Sequence, residues 1–296
     1  SSVKPFVWAA AIASGFTPSS IIVDEPIEYT VGRNKWVPQN FGGDFQGPIP
    51  LRKALEQSVN IVSVKLVEQL GVPLVRSYLQ RCGITTPIDD TVGLTLGLGT
   101  PVVTIMDQCV AYSCFANGGV RNDPVMVTEI RNRDGLPRYD YNAFVKREQA
   151  LDSRVAYVVT HMLQGVCEPG PGYYTTGHRT KALGRPRGGK TGTTNESRNV
   201  WFCGFTPDFT CVVWIGYSDN RPLGRGREFT GGGMATPIWT KFMIAAEDGL
   251  PIRDFDVPSG ITFFNIERLT GVEGGDYKEA YLTGTAPPAT WNPPSG

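Results

Sequence analysis

Apolar positions along the chain follow two rhythms, and each predicts a different element. In residues 1–13, Val3, Phe6, Val7, Trp8 and a run of alanines have the spacing of a buried helix, with Pro5 tolerable only near its first turn. That helix is expected to start at or just before Ser1. Residues 50–60 begin a second helical segment that breaks at Ser58 and resumes through residues 61–71, with Gly71 as its stop. A short helix is expected over 74–82, a capped amphipathic one over 104–119 ended by Asn117-Gly118-Gly119, a buried one over 153–166, and a last one over 235–243. The other rhythm is that of strands. Residues 199–205 and 210–217 are aromatic and β-branched and flank a tight turn at Thr206-Pro207-Asp208, which predicts an antiparallel hairpin. Weaker strand patterns occupy 125–131 and 261–266.

Between these elements lie glycine- and proline-rich stretches. Residues 14–50 form a long polar excursion, and excursions of that length are uncommon unless they line a site. Residues 170–178 and 221–233 are also expected to be loops, the second closing on Thr230-Gly231-Gly232-Gly233. Residues 251–296 change character, with many prolines and glycines, and are expected to be an appendage fading into a disordered tail. The expected organisation is therefore a principal domain over 1–250 followed by that appendage. The expected fold class is α+β, an antiparallel sheet flanked by helices.

Composition narrows the function classes. The 28 basic and 28 acidic residues cancel, which leaves no global field to attract nucleic acid or an anionic membrane surface. No apolar run is long enough to span a bilayer, and no charged segment followed by an apolar one opens the chain. Ser1 leads straight into a helix, which suggests a chain cut from something longer. The six cysteines lack zinc-type spacing and only two histidines occur, so no metal and no cofactor is expected. Cys203 and Cys211 lie on the two arms of the hairpin and could face each other, but free buried thiols are the preferred reading.

Three short motifs carry candidate chemistry. Ser1 and Lys4 are three residues apart, which sets a hydroxyl and an amine side by side at a helix start. A desolvated lysine can take the proton that makes serine a nucleophile; the blander alternative is a capping serine and a solvated lysine. Ser58 and Asn60 straddle the helix joint and could project together into a cleft, or could simply cap the second helix. Lys190-Thr191-Gly192-Thr193 sits between glycines at the start of the hairpin region, where a strand could lie along an extended ligand. Taken alone, such a triplet is usually an exposed turn.

The three together, Ser1-x-x-Lys4, Ser58-x-Asn60 and Lys190-Thr191-Gly192, match a pattern shared by class A β-lactamases and penicillin-binding proteins. Longer runs extend the likeness: Gln46-Gly47-Pro48-Ile49-Pro50-Leu51-Arg52-Lys53-Ala54-Leu55, Leu96-Gly97-Leu98-Gly99-Thr100-Pro101, Phe115-Ala116-Asn117-Gly118-Gly119 and Ala235-Thr236-Pro237-Ile238-Trp239. To about residue 250 the chain resembles the transpeptidase domain of class A, bifunctional penicillin-binding proteins. Asn199 stands where that family often has Asp, and Phe205 where Tyr is frequent. The strands, glycosyltransferase domain and membrane anchor that precede the nucleophile in that family are absent from this chain.

The resemblance implies a D-Ala-D-Ala transpeptidase that cross-links peptidoglycan stem peptides, is acylated by β-lactams, and works in the periplasm or on the outer face of the inner membrane. It implies Ser1 as nucleophile, Lys4 as its proton acceptor, and Ser58 as a relay to the leaving D-alanine. Asn60 would bind the substrate amide, Lys190 would hold the proton network and the terminal carboxylate, and Thr191, Gly192 and Thr193 would complete the carboxylate site. The oxyanion would lie between the backbone N–H groups of Ser1 and Thr193. Three alternatives stay open: a D,D-carboxypeptidase, a serine β-lactamase, and a penicillin-binding sensor without turnover. No glutamate between Ser58 and Lys190 is marked as a deacylating base.

Overall fold

The computed structural model describes residues 1–296 except Lys146, Pro171, Ser295 and Gly296. Pro171 of the expected 170–178 loop and the last two residues of the expected tail thus lie outside the described residues. Helix α1 (Lys4–Ala13) is buried from Lys4 through Ile12. It starts later than the apolar pattern suggests, because Pro5 occupies its first turn and Ser1 to Val3 form a separate turn closed by the Lys4 N–H on Ser1 O at 3.2 Å.

The polar excursion is less irregular than its composition implies. It contains β1 (Ile21–Asp24), a small hairpin of β2 (Tyr29–Val31) and β3 (Asn34–Trp36), and β4 (Gly47–Pro50), which pairs antiparallel with β1. β4 runs directly into α2 (Leu51–Glu56), and α3 (Asn60–Leu70) and α4 (Val72–Arg81) follow. The joint between α2 and α3 is Ser58, a non-glycine residue held at φ 60°. A 3₁₀ stretch (Asp90–Leu98) packs on α3, and α5 (Ile105–Ala116) is capped by the Thr104 hydroxyl accepting from the Asp107 N–H.

Short strands β5 (Val120–Arg121), β6 (Glu129–Arg131), β7 (Pro137–Asp140) and β8 (Glu148–Gln149) pair as β5–β8 and β6–β7 before the amphipathic helix α6 (Ser153–Cys167). The central sheet comprises β9 (Gly188–Thr193), β10 (Asn199–Phe205) and β11 (Thr210–Gly216), antiparallel in the order β11-β10-β9. Cys203 and Phe205 join the main core with α1, α5 and α6. On the opposite face, Phe202 meets Trp239 and Met243 of α7 (Thr236–Ala246). Cys203 pairs with Val212, one residue from Cys211, so the two thiols occupy opposite faces and stay free.

Beyond α7, β12 (Ile261–Ile266) pairs with β13 (Tyr277–Leu282), whose charged sequence hid it from the apolar rhythm. Glu279 is fully buried against Arg52 of α2, Arg268 reaches Glu56 at 2.9 Å, and the Tyr281 hydroxyl meets Ser19. The described molecule is a mixed α+β fold built from several small antiparallel sheets among helices.

Candidate active site

Three separate elements bring lysine and serine side chains to one point. Lys4 arrives from the first turn of α1, Ser58 from the α2–α3 joint, and Lys190 from the middle of β9. Ser58 Oγ lies 3.2 Å from Lys4 Nζ and 2.7 Å from Lys190 Nζ. Both lysines are 0% exposed, and their polar partners are oxygens of uncharged groups: Lys4 donates to Ser58 O and Asn60 Oδ1, each at 2.7 Å, and Lys190 donates to Thr191 O at 3.0 Å.

Burial without an anion disfavours the ammonium form. It lowers Lys4 well below the usual lysine range, with the neighbouring Lys190 charge adding to the effect, and brings Lys190 down to about 7. At Lys4 burial and the Lys190 charge act in the same direction, towards the neutral amine. A neutral amine has two N–H donors and one lone pair. The two short contacts to Ser58 O and Asn60 Oδ1 use both donors, so the lone pair is left for a hydroxyl proton. Ser58 then accepts from Lys190 and donates towards Lys4. That arrangement can pass a proton in either direction.

Ser1 lies in the turn ahead of Lys4, its carbonyl accepting from the Lys4 N–H. Its α-amine is buried and donates to Leu98 O at 2.8 Å; burial, then Lys4, then Lys190 push that amine well below its usual pKa. Among the described residues the Ser1 hydroxyl has no hydrogen bond to Lys4 or Ser58, and the amine nitrogen proposed for the oxyanion is committed to Leu98. Strand alternation puts Lys190 and Gly192 on the face of Cys203 and Trp201, whereas Thr191 and Thr193 turn the other way. Thr193 Oγ1 accepts from the Gly231 N–H at 3.0 Å, which leaves its own proton free to donate. A Cβ on Gly231 would stand 2.4 Å from Trp201 O and 2.7 Å from Gly192 O, so only glycine lets this turn lie against β9. β9 ends the sheet and leaves its other edge unpaired within it.

Asn40 and Gln39, not singled out by sequence reasoning, also reach this cluster. Asn40 Oδ1 accepts from the Asn60 N–H at 2.9 Å, and Gln39 O accepts from Asn60 Nδ2 at 2.8 Å. The only hint in the sequence is their place in an unusually long polar excursion. His161 is largely buried beside Glu279 and Arg52. Its Nδ1 is 2.8 Å from Arg52 and 3.1 Å from Glu279; burial and then Arg52 hold it well below the usual histidine pKa, so the neutral ring accepts from Arg52 and makes no ion pair with Glu279.

Comparison with known proteins gives one family. The model described as penicillin binding protein transpeptidase domain matches residues 1–243. Penicillin-binding protein 1A of Pseudomonas aeruginosa is 33% identical over all of this chain, which covers 42% of that protein. The crystal structure of penicillin-binding protein 1A from Haemophilus influenzae superposes with a TM-score of 0.86 at 29% identity, over 99% of this chain and 48% of that one. The PonA1 protein from Mycobacterium tuberculosis, solved in complex with penicillin V, shares the fold at a TM-score of 0.73 and 23% identity, over 93% of this chain and 73% of that one. The chain thus spans less than half the length of the first two. Among the described residues no helix is long and apolar enough to cross a membrane. With residues 1–243 matched to one family model, the chain belongs to the penicillin-binding protein transpeptidase domain family.

Proposed function

We infer that the chain is a serine-type D-Ala-D-Ala transpeptidase that joins peptidoglycan stem peptides through an acyl-enzyme on Ser1 and is acylated by β-lactams at the same oxygen. The observation that carries this reading is Ser58 Oγ held 3.2 Å from Lys4 Nζ and 2.7 Å from Lys190 Nζ. Neutral Lys4 takes the Ser1 hydroxyl proton as Oγ attacks the penultimate D-alanine carbonyl. The proton then reaches the leaving D-alanine amine through Ser58, and the C–N bond breaks to leave a Ser1 ester. An acceptor amine attacks that ester, gives up its proton by the reverse route, and frees Ser1.

Asn60 offers its carboxamide to the substrate amide. Lys190 supplies the cation for the terminal carboxylate, supported by the Thr191 and Thr193 hydroxyls and the close backbone at Gly192 along the free edge of β9. A ligand strand laid on that edge is the usual way such sites grip peptides. Residues 1–250 are the catalytic unit on this reading, and residues 251–296 an appendage that braces α2. Work on peptidoglycan places the domain outside the cytoplasmic membrane, with a glycosyltransferase domain and a membrane anchor upstream in the full-length protein.

Among the described residues the hydrogen bonds of Lys4 and Lys190 include no carboxylate that could activate water, which favours transfer to an amine over β-lactam hydrolysis. The test is intact-mass measurement after incubation with penicillin, followed by peptide mapping. A stable adduct on Ser1, and D-alanine release with amine incorporation from a stem peptide, are expected. Rapid nitrocefin turnover, or an adduct elsewhere, would overturn the assignment.

A further inference from the structure

The α3 helix begins without a cap of its own. Its N-cap residue, Val59, has no side-chain acceptor, yet the N–H groups of Asn60 and Ile61 both reach Asn40 Oδ1, at 2.9 and 3.3 Å. Asn40 is twenty residues upstream of Asn60, and it is clamped in turn. Its Nδ2 donates to both carboxylate oxygens of Asp24, at 2.8 and 3.0 Å, and to Asp44 O at 3.0 Å. Asp24 is 0% exposed and also accepts from the Gln46 N–H at 2.9 Å. A helix cap supplied from a distant loop does more than satisfy donors: it ties the helix start to the sheet element that carries Asp24.

The same loop sets the side chain of Asn60. Gln39 O is an acceptor only, so Asn60 must present Nδ2 to it and turn Oδ1 to Lys4, where it receives an N–H at 2.7 Å. Just before, Ser58 is held at φ 60°, a left-handed conformation that is strained in a non-glycine residue and persists only when the surroundings over-determine it. On one side Ser58 and Val59 are fixed by the Leu55 and Ala54 carbonyls, at 3.1 and 2.8 Å. On the other side the fixing group is Asn40.

We propose that Asn40, oriented by the buried Asp24 carboxylate, is a positioning residue for the reaction: it holds the Ser58–Asn60 turn in its strained form and so aims Asn60 Oδ1 at Lys4. This rests on the roles given above to Lys4, Ser58 and Asn60. Neither Asn40 nor Asp24 touches the reacting atoms. Their effect passes through the hydrogen bond that occupies one N–H of Lys4, whose titratable neighbours are Lys190 and the Ser1 amine.

The experiment uses the full chain with Asn40→Ala, Asn40→Asp, Asp24→Asn and the exchanged pair Asp24→Asn with Asn40→Asp. Two readouts are taken on each: the titration midpoint of Lys4 by NMR of labelled lysine, and the rate of penicillin acylation at Ser1. Losing the Asn60 acceptor lowers the Lys4 midpoint by roughly half a pH unit or more, since hydrogen bonding to the charged form no longer favours it. Acylation slows by about 10- to 100-fold, the scale set by misplacing a catalytic group by about 1 Å. The exchanged pair restores a carboxylate acceptor for the helix and an amide donor for the carboxylate, and both readouts recover towards wild type. A folded Asn40→Ala protein with an unchanged Lys4 midpoint overturns the proposal, as does an exchanged pair no better than its single members. A shifted midpoint in a chain that penicillin never acylates leaves the positioning role standing and sinks the enzymatic reading instead.

Discussion

Two buried lysines on one serine hydroxyl set a definite pH response. On the proposed mechanism acylation needs Lys4 neutral, so its rate rises with pH through the lowered Lys4 pKa; recognition of a carboxylate by Lys190 would need it charged, so the rate falls again above its value of about 7. The second-order rate constant for penicillin acylation should therefore be bell-shaped, with an alkaline limb near that value. Lys190→Arg, which keeps its charge, should move the alkaline limb upward by more than about one pH unit while lowering the maximum. An alkaline limb that stays in place would remove Lys190 from the carboxylate role. At Ser1, the buried amine adds a third nitrogen beside Lys4 and Lys190. Acetylating it, or extending the chain upstream, turns it into an amide and removes a group that competes for protons. Either change should raise the acylation rate by about tenfold, the worth of roughly 1.4 kcal/mol, read by intact mass against time; an equal rate from the free-amine chain refutes it. Lys4, Ser58 and Lys190, which the structure brings together, were singled out in the sequence because their motifs are short and local. Asn40 was not, because a cap supplied across twenty residues leaves no local pattern.

Among the elements, α2 and α6 meet at a point where glycine is required. A Cβ on Gly165 would sit 1.9 Å from Glu56 Oε1 and 2.5 Å from Arg52 Nη1, within the buried Arg52–Glu56 pair. In an exposed helix interior, Gly→Ala gains about 1 kcal/mol. Here the added methyl must displace a desolvated ion pair, and breaking one costs about 3–5 kcal/mol, so the sign reverses. Gly165→Ala should lower the thermal midpoint by roughly 4–8 °C, and calorimetry showing any rise would contradict it. The hairpin of β10 and β11 was readable because alternating apolar residues have no other stable use. The β12–β13 hairpin was only half readable, since Lys278 and Glu279 look like surface positions until Arg52 is found opposite Glu279.

At the scale of the molecule, residues 251–296 matter beyond their composition. They supply Glu279 to Arg52, Arg268 to Glu56 and Tyr281 to Ser19, all close to the helix that leads into Ser58. A chain ending at residue 250 leaves Arg52 without Glu279 and Glu56 without Arg268. At about 3–5 kcal/mol for each broken buried pair, that approaches a typical domain stability of about 5–15 kcal/mol. The shortened chain should lose its cooperative transition in calorimetry and its penicillin adduct together; full retention of both would make the appendage dispensable. By itself the sequence determined the helices, the central hairpin, the α+β class and the three motifs, because apolar periodicity and short-range chemistry are written along the chain. Tertiary structure alone decided that Lys4 and Lys190 share one hydroxyl, that Asn40 caps a remote helix, and that a charged strand is buried. Those outcomes depend on which distant groups are brought together and stripped of water, and desolvation is a property of the folded surroundings rather than of any residue.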